Sequence, residues 1–587
     1  MKPRGVILLA AVALASGLLS VGATAAVAAT SSPVTTHGYV RMADGVRLRY
    51  TLVRPSARGT YPVALNYGPY YNGSNPEGWS LQTNRFVSSG YAVLGVNIRG
   101  TGCSQGSFGM FTERESLDAK HVIEWAGTQP WSTGHVGMFG LSYPGMSQYG
   151  PASLQAKHLD AIAPFQTTID VYRDTLFPGG ILNVAFAGVW GVADQPTYGD
   201  RAITQGIAQG DTRCASSFVA HQTDSKLYQQ ALPVLGDPFD DTTFFDDHNM
   251  RQWLPGIRIP VLGCVSWQDE MVSGRSFESL DTLDPTKTWM IGVNGYHGVC
   301  DAKNAWPYLH AFFDRYVKGV DNGFDHSPHV VLLHDAHASL VRRAETTYSL
   351  TAPSAAAWTT TLQKWAGAVT PTVFALPAGP PDRYAFPVPS SGNESGFVGD
   401  WNAAWKVPDP PGTAVTYTFP TLTKDVEFLG PGSADLWMKS TARDTDLQIT
   451  LSEIRPDHQE VFVQRGWLRA SHRALDTAKS TTLRPYQTHD ARDAHDLTPG
   501  EPTLLRIELT PFNYVFRAGS RIRLTIDTPT TTGLWGFEVT PHAGINSILH
   551  DARHPSRLVL GLVPGGYAHA PEASCDSLLN QPCRLAT

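Results

Sequence analysis

The 587-residue sequence predicts an α/β domain with a mostly parallel sheet and an inserted helical cap, followed by an all-β domain. Three observations carry this. From His37 to about Val320 short apolar runs alternate with amphipathic stretches, the pattern of strands that cross over through helices. Between Thr168 and Pro255 that alternation gives way to a stretch rich in Phe, Trp, Gly and Asp. Beyond Val320 the composition turns to Thr, Pro and short runs of period two separated by turn residues, as in a β-sandwich. With 42% apolar residues, a chain of this length exceeds what one core sustains.

Taken in order, residues 1–29 read as a secretory signal peptide. Lys2 and Arg4 precede an apolar stretch from Val6 to Leu19, and the small-residue run Ala23 to Ala29 places the cut between Ala25 and Thr30. The protein is therefore expected outside the cell, with no membrane span after cleavage. The α/β domain is expected over residues 36–325. Its strands include Val63–Leu65, Ala92–Val96, Gly137–Gly140, Val261–Val265 and Trp289–Val293, continuous apolar runs suited to burial on both faces. Ala119, Val122, Ile123 and Ala126 fall at helical spacing and predict a helix over Glu115–Ala126 packed on that sheet. The cap spans 168–255, with a helical patch at Lys226–Leu235, and a further helix covers Tyr308–Val320. A jelly-roll-like β domain fills 345–587. In its run Arg521–Ile526, alternation predicts Ile522, Leu524 and Ile526 inside and Arg521, Arg523 and Thr525 facing outward.

The net charge of −7 is modest and no Lys/Arg-rich run occurs, which removes the electrostatic grip that nucleic acid or anionic lipid requires. A small, largely uncharged substrate is expected. The six cysteines of an exported chain suit disulfides, and Cys575 with Cys583 is the pair suggested by proximity. Their scatter, without Cys or Cys/His pairs at short spacing, argues against a metal site.

The sharpest local signal is Gly140-Leu141-Ser142-Tyr143-Pro144-Gly145, a nucleophile turn in which the second glycine is displaced by one position. Such a turn needs small neighbours, because the serine sits on a tight strand-to-helix corner with its hydroxyl raised at the sheet's edge. The following helix is expected to begin over Met146–Ser153, with Pro144 tolerated near its start. An activated serine needs a base and an acid that orients it, which this fold type supplies in the chain order Ser, Asp, His. Asp269 follows the strand ending at Val265, and His297 follows the strand ending at Val293. Both lie just past strand C-terminal ends, where ligand sites gather in open α/β sheets. Glu270 competes with Asp269 for the role of acid.

Jointly these residues resemble the family of cocaine esterase and X-prolyl dipeptidyl peptidase, which also contains α-amino acid ester hydrolases and glutaryl acylases. The resemblance rests on Ala43-Asp44-Gly45-Val46, Gly68-Pro69-Tyr70, Ile98-Arg99-Gly100-Thr101-Gly102, Gln129-Pro130-Trp131, the Ser-Tyr-x-Gly turn, Trp267-Gln268-Asp269, Tyr296-His297 and Gly466-Trp467-Leu468-Arg469-Ala470. It implies an α/β-hydrolase domain with a helical cap and a C-terminal jelly roll. It also implies an oxyanion hole made by the backbone N–H of Tyr143 and the hydroxyl of Tyr70, with Tyr71 adjacent as the alternative donor. Gly68 stands where the family has Asn. The expected reaction is acyl transfer from an ester or amide of a small molecule or short peptide, with Ser142, His297 and Asp269 as the triad and no cofactor. Met271 and Val272 occupy positions where the amino acid ester hydrolases carry carboxylates for a substrate ammonium. Glu270, Asp170, Asp174 or Asp194 are the remaining candidates for such a subsite. The alternative to an enzyme is an exported binding or adhesion protein that uses the β domain, with the hydrolase domain inactive.

Overall fold

A computed structural model of the chain describes residues 32–70, 73, 82–188, 195–224, 233–301, 305–333, 359–362, 369–389, 407–540, 542–565, 572, 574–575 and 580–586. The segment read as a signal peptide lies outside them. The first ten strands are β1 (Val34–Arg41), β2 (Arg47–Arg54), β3 (Tyr61–Gly68), β4 (Ala92–Asn97), β5 (Ser132–Leu141), β6 (Leu159–Phe165), β7 (Val261–Ser266), β8 (Thr288–Val293), β9 (Val330–Leu333) and β10 (Thr359–Leu362). They form one sheet in the order β1-β2-β4-β3-β5-β6-β7-β8-β9-β10. The pairs β1–β2, β2–β4 and β9–β10 are antiparallel. The strands from β4 to β9 are parallel along that order.

The apolar runs explain this layout. Strands β4, β7 and β8 are buried along their whole length, because helices cover both faces of the sheet. Helix α1 (Gln82–Ser88) inserts Phe86, and α2 (Glu113–Gly127) buries Ala119, Val122, Ile123 and Ala126 as its spacing predicts. The short helices α3 (Tyr143–Met146) and α4 (Tyr149–Ser153) follow β5. The helix expected from Met146 thus begins earlier, at Tyr143, since Pro144 sits in the first turn, where its missing N–H costs nothing.

Between β6 and β7 the chain leaves the sheet through α5 (Val184–Gly188), α6 (Gln195–Ala208), α7 (Arg213–Thr223) and α8 (Thr243–His248). Most of the patch Lys226–Leu235 lies outside the described residues. Helix α9 (Trp306–Tyr316) then returns to the sheet with Leu309, Phe312 and Phe313 buried.

The second half is all β. Strands β11 (Thr370–Ala375), β12 (Asp382–Phe386), β14 (Val426–Ser440), β17 (Thr503–Phe516), β19 (Gly544–Leu549) and β20 (Arg557–Leu562) form one antiparallel sheet. Strands β13 (Val415–Thr418), β15 (Asp446–Ile454), β16 (Gln459–Arg469), β18 (Arg521–Asp527) and β21 (Cys583–Leu585) form another. They share a core of Leu436, Leu447, Ile449, Leu451, Leu505, Ile507, Ile522, Leu524 and others. The two sheets approach so closely at Gly466 that a Cβ there would stand 1.7 Å from the Glu508 carbonyl oxygen.

One expectation is corrected here. Ile522, Leu524 and Ile526 are buried, yet Arg523 and Thr525 are buried too, at 8% and 4% exposure. Glu460 on β16 accepts from Arg523 Nη1 at 3.2 Å and from Arg584 Nε on β21 at 3.0 Å. A polar strand face is thereby closed over by paired charges instead of by water.

Three disulfides join Cys103 to Cys214, Cys264 to Cys300 and Cys575 to Cys583, the last as expected from proximity. No described helix is long and apolar enough to cross a membrane.

Candidate active site

Ser142 sits between the end of β5 and the start of α3 with φ 63° and ψ −131°. A non-glycine residue at positive φ persists only where its surroundings over-determine it. Here its N–H donates to the Phe165 carbonyl at 2.9 Å, while its own carbonyl accepts from the N–H groups of Gly145 and Met146 at 2.8 and 2.9 Å. A Cβ on Gly140 would lie 2.5 Å from Pro144 Cβ, and one on Gly145 would lie 2.9 Å from the Phe165 carbonyl oxygen. The displaced glycine is therefore required by packing against β6, and the turn tolerates neither position enlarged.

The Tyr143 side chain turns away from Ser142 into the core. Its hydroxyl donates to Glu115 Oε2 at 2.8 Å and accepts from the Phe111 N–H at 3.1 Å, with the Phe111 ring stacked 4.1 Å away. Burial pushes Glu115 up to about 7, against the pull of the Tyr143 hydroxyl and the Phe111 N–H. What Tyr143 offers the serine is thus its backbone. Tyr70 is half-buried just past β3, and its carbonyl accepts from Asn97 Nδ2 at 2.7 Å. Tyr71 lies outside the described residues.

The turns after β7 and β8 bring Asp269 to His297. Asp269 Oδ2 and Oδ1 lie 2.8 and 3.1 Å from His297 Nδ1. Of the two candidate acids, Asp269 meets the ring, whereas Glu270 accepts the backbone N–H of His297 at 3.3 Å. The Asp269 carboxylate also accepts from the Met271 and Val272 N–H groups at 2.9 and 3.1 Å. Burial works against a charged imidazole, but Asp269 outweighs it, by its charge and its hydrogen bond, and holds His297 above its ordinary value. Burial first, and the neighbouring Asp269 second, push Glu270 up to about 8. Among the described residues neither Ser142 Oγ nor His297 Nε2 has a hydrogen-bond partner, so the serine and histidine are not in hydrogen-bond contact with each other. Contacts of this kind often tighten only with substrate bound.

Sequence reasoning did not single out Gln166. It follows β6 directly at φ 44°, and its amide spans the site. Nε2 donates to Asp269 Oδ2 at 2.9 Å and to the Tyr296 carbonyl at 3.0 Å; Oε1 accepts from the Gly298 and Cys300 N–H groups at 2.9 and 3.1 Å. The available signal was its place at the end of the strand between β5 and β7. The Cys264–Cys300 disulfide adds a covalent tie between β7 and the turn bearing His297.

Asp170 and Asp174 are both buried and engaged by arginines: Asp170 with Arg173 and Arg251, Asp174 with Arg275. Arg275 also reaches Glu508 of the β domain at 2.8 Å. Asp194 lies outside the described residues.

A largely parallel sheet under helices, a serine at a strained strand-to-helix corner and a His–Asp pair on neighbouring strand ends define an α/β hydrolase, here joined to an all-β domain. The chain belongs to the family of X-Pro dipeptidyl-peptidases and cocaine esterase and is a serine hydrolase: residues 44–299 match the X-Pro dipeptidyl-peptidase (S15 family), and residues 322–559 match the X-Pro dipeptidyl-peptidase C-terminal non-catalytic domain. Cocaine esterase of Rhodococcus sp. (strain MB1 Bresler) is 27% identical over 582 residues, covering 89% of this chain and 97% of that protein. The fold is shared with a CocE/NonD family hydrolase from Staphylococcus aureus at TM-score 0.70 and 22% identity, over 90% of this chain and 92% of that one. It is also shared with an α-amino acid ester hydrolase at TM-score 0.67 and 16% identity, over 91% and 97% of the two chains.

Proposed function

We propose that the protein is a secreted esterase or acylase that opens an ester or amide of a small substrate through an acyl-enzyme on Ser142. The observation that carries this reading is the 2.8 Å contact between Asp269 and His297 Nδ1 on the strand ends beside the Ser142 corner. With Asp269 holding the Nδ1 proton, His297 Nε2 is free to take the proton of Ser142 as Oγ bonds to the substrate carbonyl carbon. The resulting oxyanion is received by the Tyr143 N–H and the Tyr70 hydroxyl, donors aimed at charge that exists only in the transition state. His297 then returns the proton to the leaving alcohol or amine, and water, deprotonated by the same imidazole, releases the acid from Ser142.

Ester cleavage is favoured over removal of a dipeptide. A free substrate ammonium needs a carboxylate to receive it, and Asp170 and Asp174 are already matched by Arg173, Arg251 and Arg275. Met271 and Val272 supply none. Similarity to cocaine esterase points the same way. Export follows from the apolar leader in residues 1–29 and agrees with three disulfides in an oxidising compartment. The division into a hydrolase domain over 36–325, a cap over 168–255 and a β domain over 345–587 belongs to this proposal.

The test is turnover of p-nitrophenyl acyl esters against Gly-Pro and Ala-Pro p-nitroanilides, by the mature protein and by Ser142→Ala. Ester hydrolysis that falls by about 10⁴ or more in the variant is the expected outcome. Turnover retained in Ser142→Ala would remove the nucleophile, and Ser142-dependent release from X-Pro anilides would make the protein a dipeptidyl peptidase.

A further inference from the structure

The segment that leads into β21 passes beside the acid turn, and the contacts there are polar. Asn580 donates from Nδ2 to the Gln268 carbonyl at 2.7 Å and to Glu270 Oε2 at 3.3 Å. The same Glu270 oxygen accepts the His297 backbone N–H. Glu270 thus links the turn that carries the histidine to the C-terminal end of the β domain. Asn580 is held at φ 52° inside the loop closed by Cys575–Cys583. The residues after it pair β21 with β16. From β16, Gln464 donates to the Trp267 carbonyl at 2.8 Å, so two segments of the β domain hold adjacent carbonyls of the acid turn.

We propose that Glu270 is a positioning residue for His297, held by Asn580 of the disulfide-closed C-terminal loop, so that the end of the β domain sets the histidine's placement. This rests on the reading of Ser142, His297 and Asp269 as the triad. Glu270 lines a small cavity between the two domains with Trp267, Gln464, Arg465 and Asn580. The charged or titratable groups facing it are Asp269 on its own turn, His297 on the turn after β8, and Arg465 on β16. Kept protonated at neutral pH, Glu270 accepts the His297 N–H without placing a second negative charge beside Asp269. Once ionised, it sets two adjacent buried carboxylates against each other, and the turn that both of them hold loses its geometry.

Steady-state kinetics on a p-nitrophenyl ester from pH 5 to 10, with active Ser142 counted by a fluorophosphonate probe, tests this. In Glu270→Ala, kcat per labelled serine is expected to fall roughly ten- to a hundredfold with KM unchanged, and Glu270→Gln is expected to restore most of it. The wild type is expected to lose kcat/KM on the alkaline side with a midpoint near 8, and Glu270→Gln to lack that fall. Asn580→Ala is expected to lower kcat in the same manner as Glu270→Ala, less steeply. Wild-type kcat in Glu270→Ala, or an unaltered alkaline limb in Glu270→Gln, overturns the proposal. Should Glu270→Ala fail to fold, the Glu270→Gln profile and the kcat of Asn580→Ala decide. Failure of the underlying triad reading looks different, because the wild type would then turn over ester without labelling at Ser142.

Discussion

At the scale of single residues, the site depends on a few hydrogen bonds that can be removed one at a time. Tyr70→Phe deletes one proposed oxyanion donor without changing shape, and kcat on esters is expected to fall by about 10²–10³ with little change in KM. Equal kcat in that variant would take Tyr70 out of the oxyanion hole. Gln166→Ala leaves the N–H groups of Gly298 and Cys300 without their partner and takes one of the hydrogen bonds from Asp269 Oδ2, which keeps His297. Buried groups stranded in this way cost about 1–3 kcal/mol each, so a clear fall in melting temperature and in kcat is expected together, readable by thermal unfolding and ester turnover. Protonation of His297 sets the acid limb. Its pKa is raised above 6.5 by Asp269, and the protonated ring cannot take the serine's proton, so kcat/KM is expected to fall below neutral pH with a midpoint above 6.5. The stability linked to that raised value runs in the opposite sense. It is fully present below the unfolded pKa and is lost as pH rises through the folded one.

At the scale of elements, the corner after β5 shows how much of the site is legible without coordinates and where legibility stops. The apolar run ending at Gly140 and the small residues around Ser142 announce a strand-to-helix turn, because few residue types fit its crowding. Gly140→Ala is expected to destabilise the protein by about 1–3 kcal/mol, since the added methyl group meets Pro144 and the tight turn cannot yield. Thermal unfolding with full Ser142 labelling in that variant would show that the corner has more room than this. The strands that place Asp269 and His297 were equally readable, as continuous apolar runs buried on both faces. Gln166 was not, since a lone glutamine past a strand carries no pattern, and only the order of β5, β6 and β7 in the sheet brings it to the pair. For β18 the alternation correctly marked Ile522, Leu524 and Ile526, but period two cannot tell a face open to water from one sealed by Glu460, Arg523 and Arg584. That distinction is tertiary.

At the scale of the whole molecule, the two halves are joined by charge as well as by packing. Arg275, beside the acid turn, donates to both oxygens of Glu508 on β17 at 2.8 and 2.9 Å, and also meets Asp174 and Glu278. Glu508→Ala removes the two bonds that tie Arg275 to the β domain while Asp174 and Glu278 still balance its charge; hydrogen bonds to charged groups contribute about 1.5–3 kcal/mol, and the variant is expected to lower the melting temperature and ester kcat together. An unchanged kcat would mean that the β domain does not support the hydrolase turn. The change of composition beyond Val320 made two domains readable, whereas their mutual contacts were not, since arginines and carboxylates at an interface look in sequence like those on a surface. The Cys264–Cys300 bond has a consequence of another kind. It closes residues 264 to 300 into a ring that contains both Asp269 and His297. A protease that nicks the backbone between the two leaves both fragments covalently attached, so a clipped protein would migrate as one chain until a thiol is added and could stay active in a protease-rich medium.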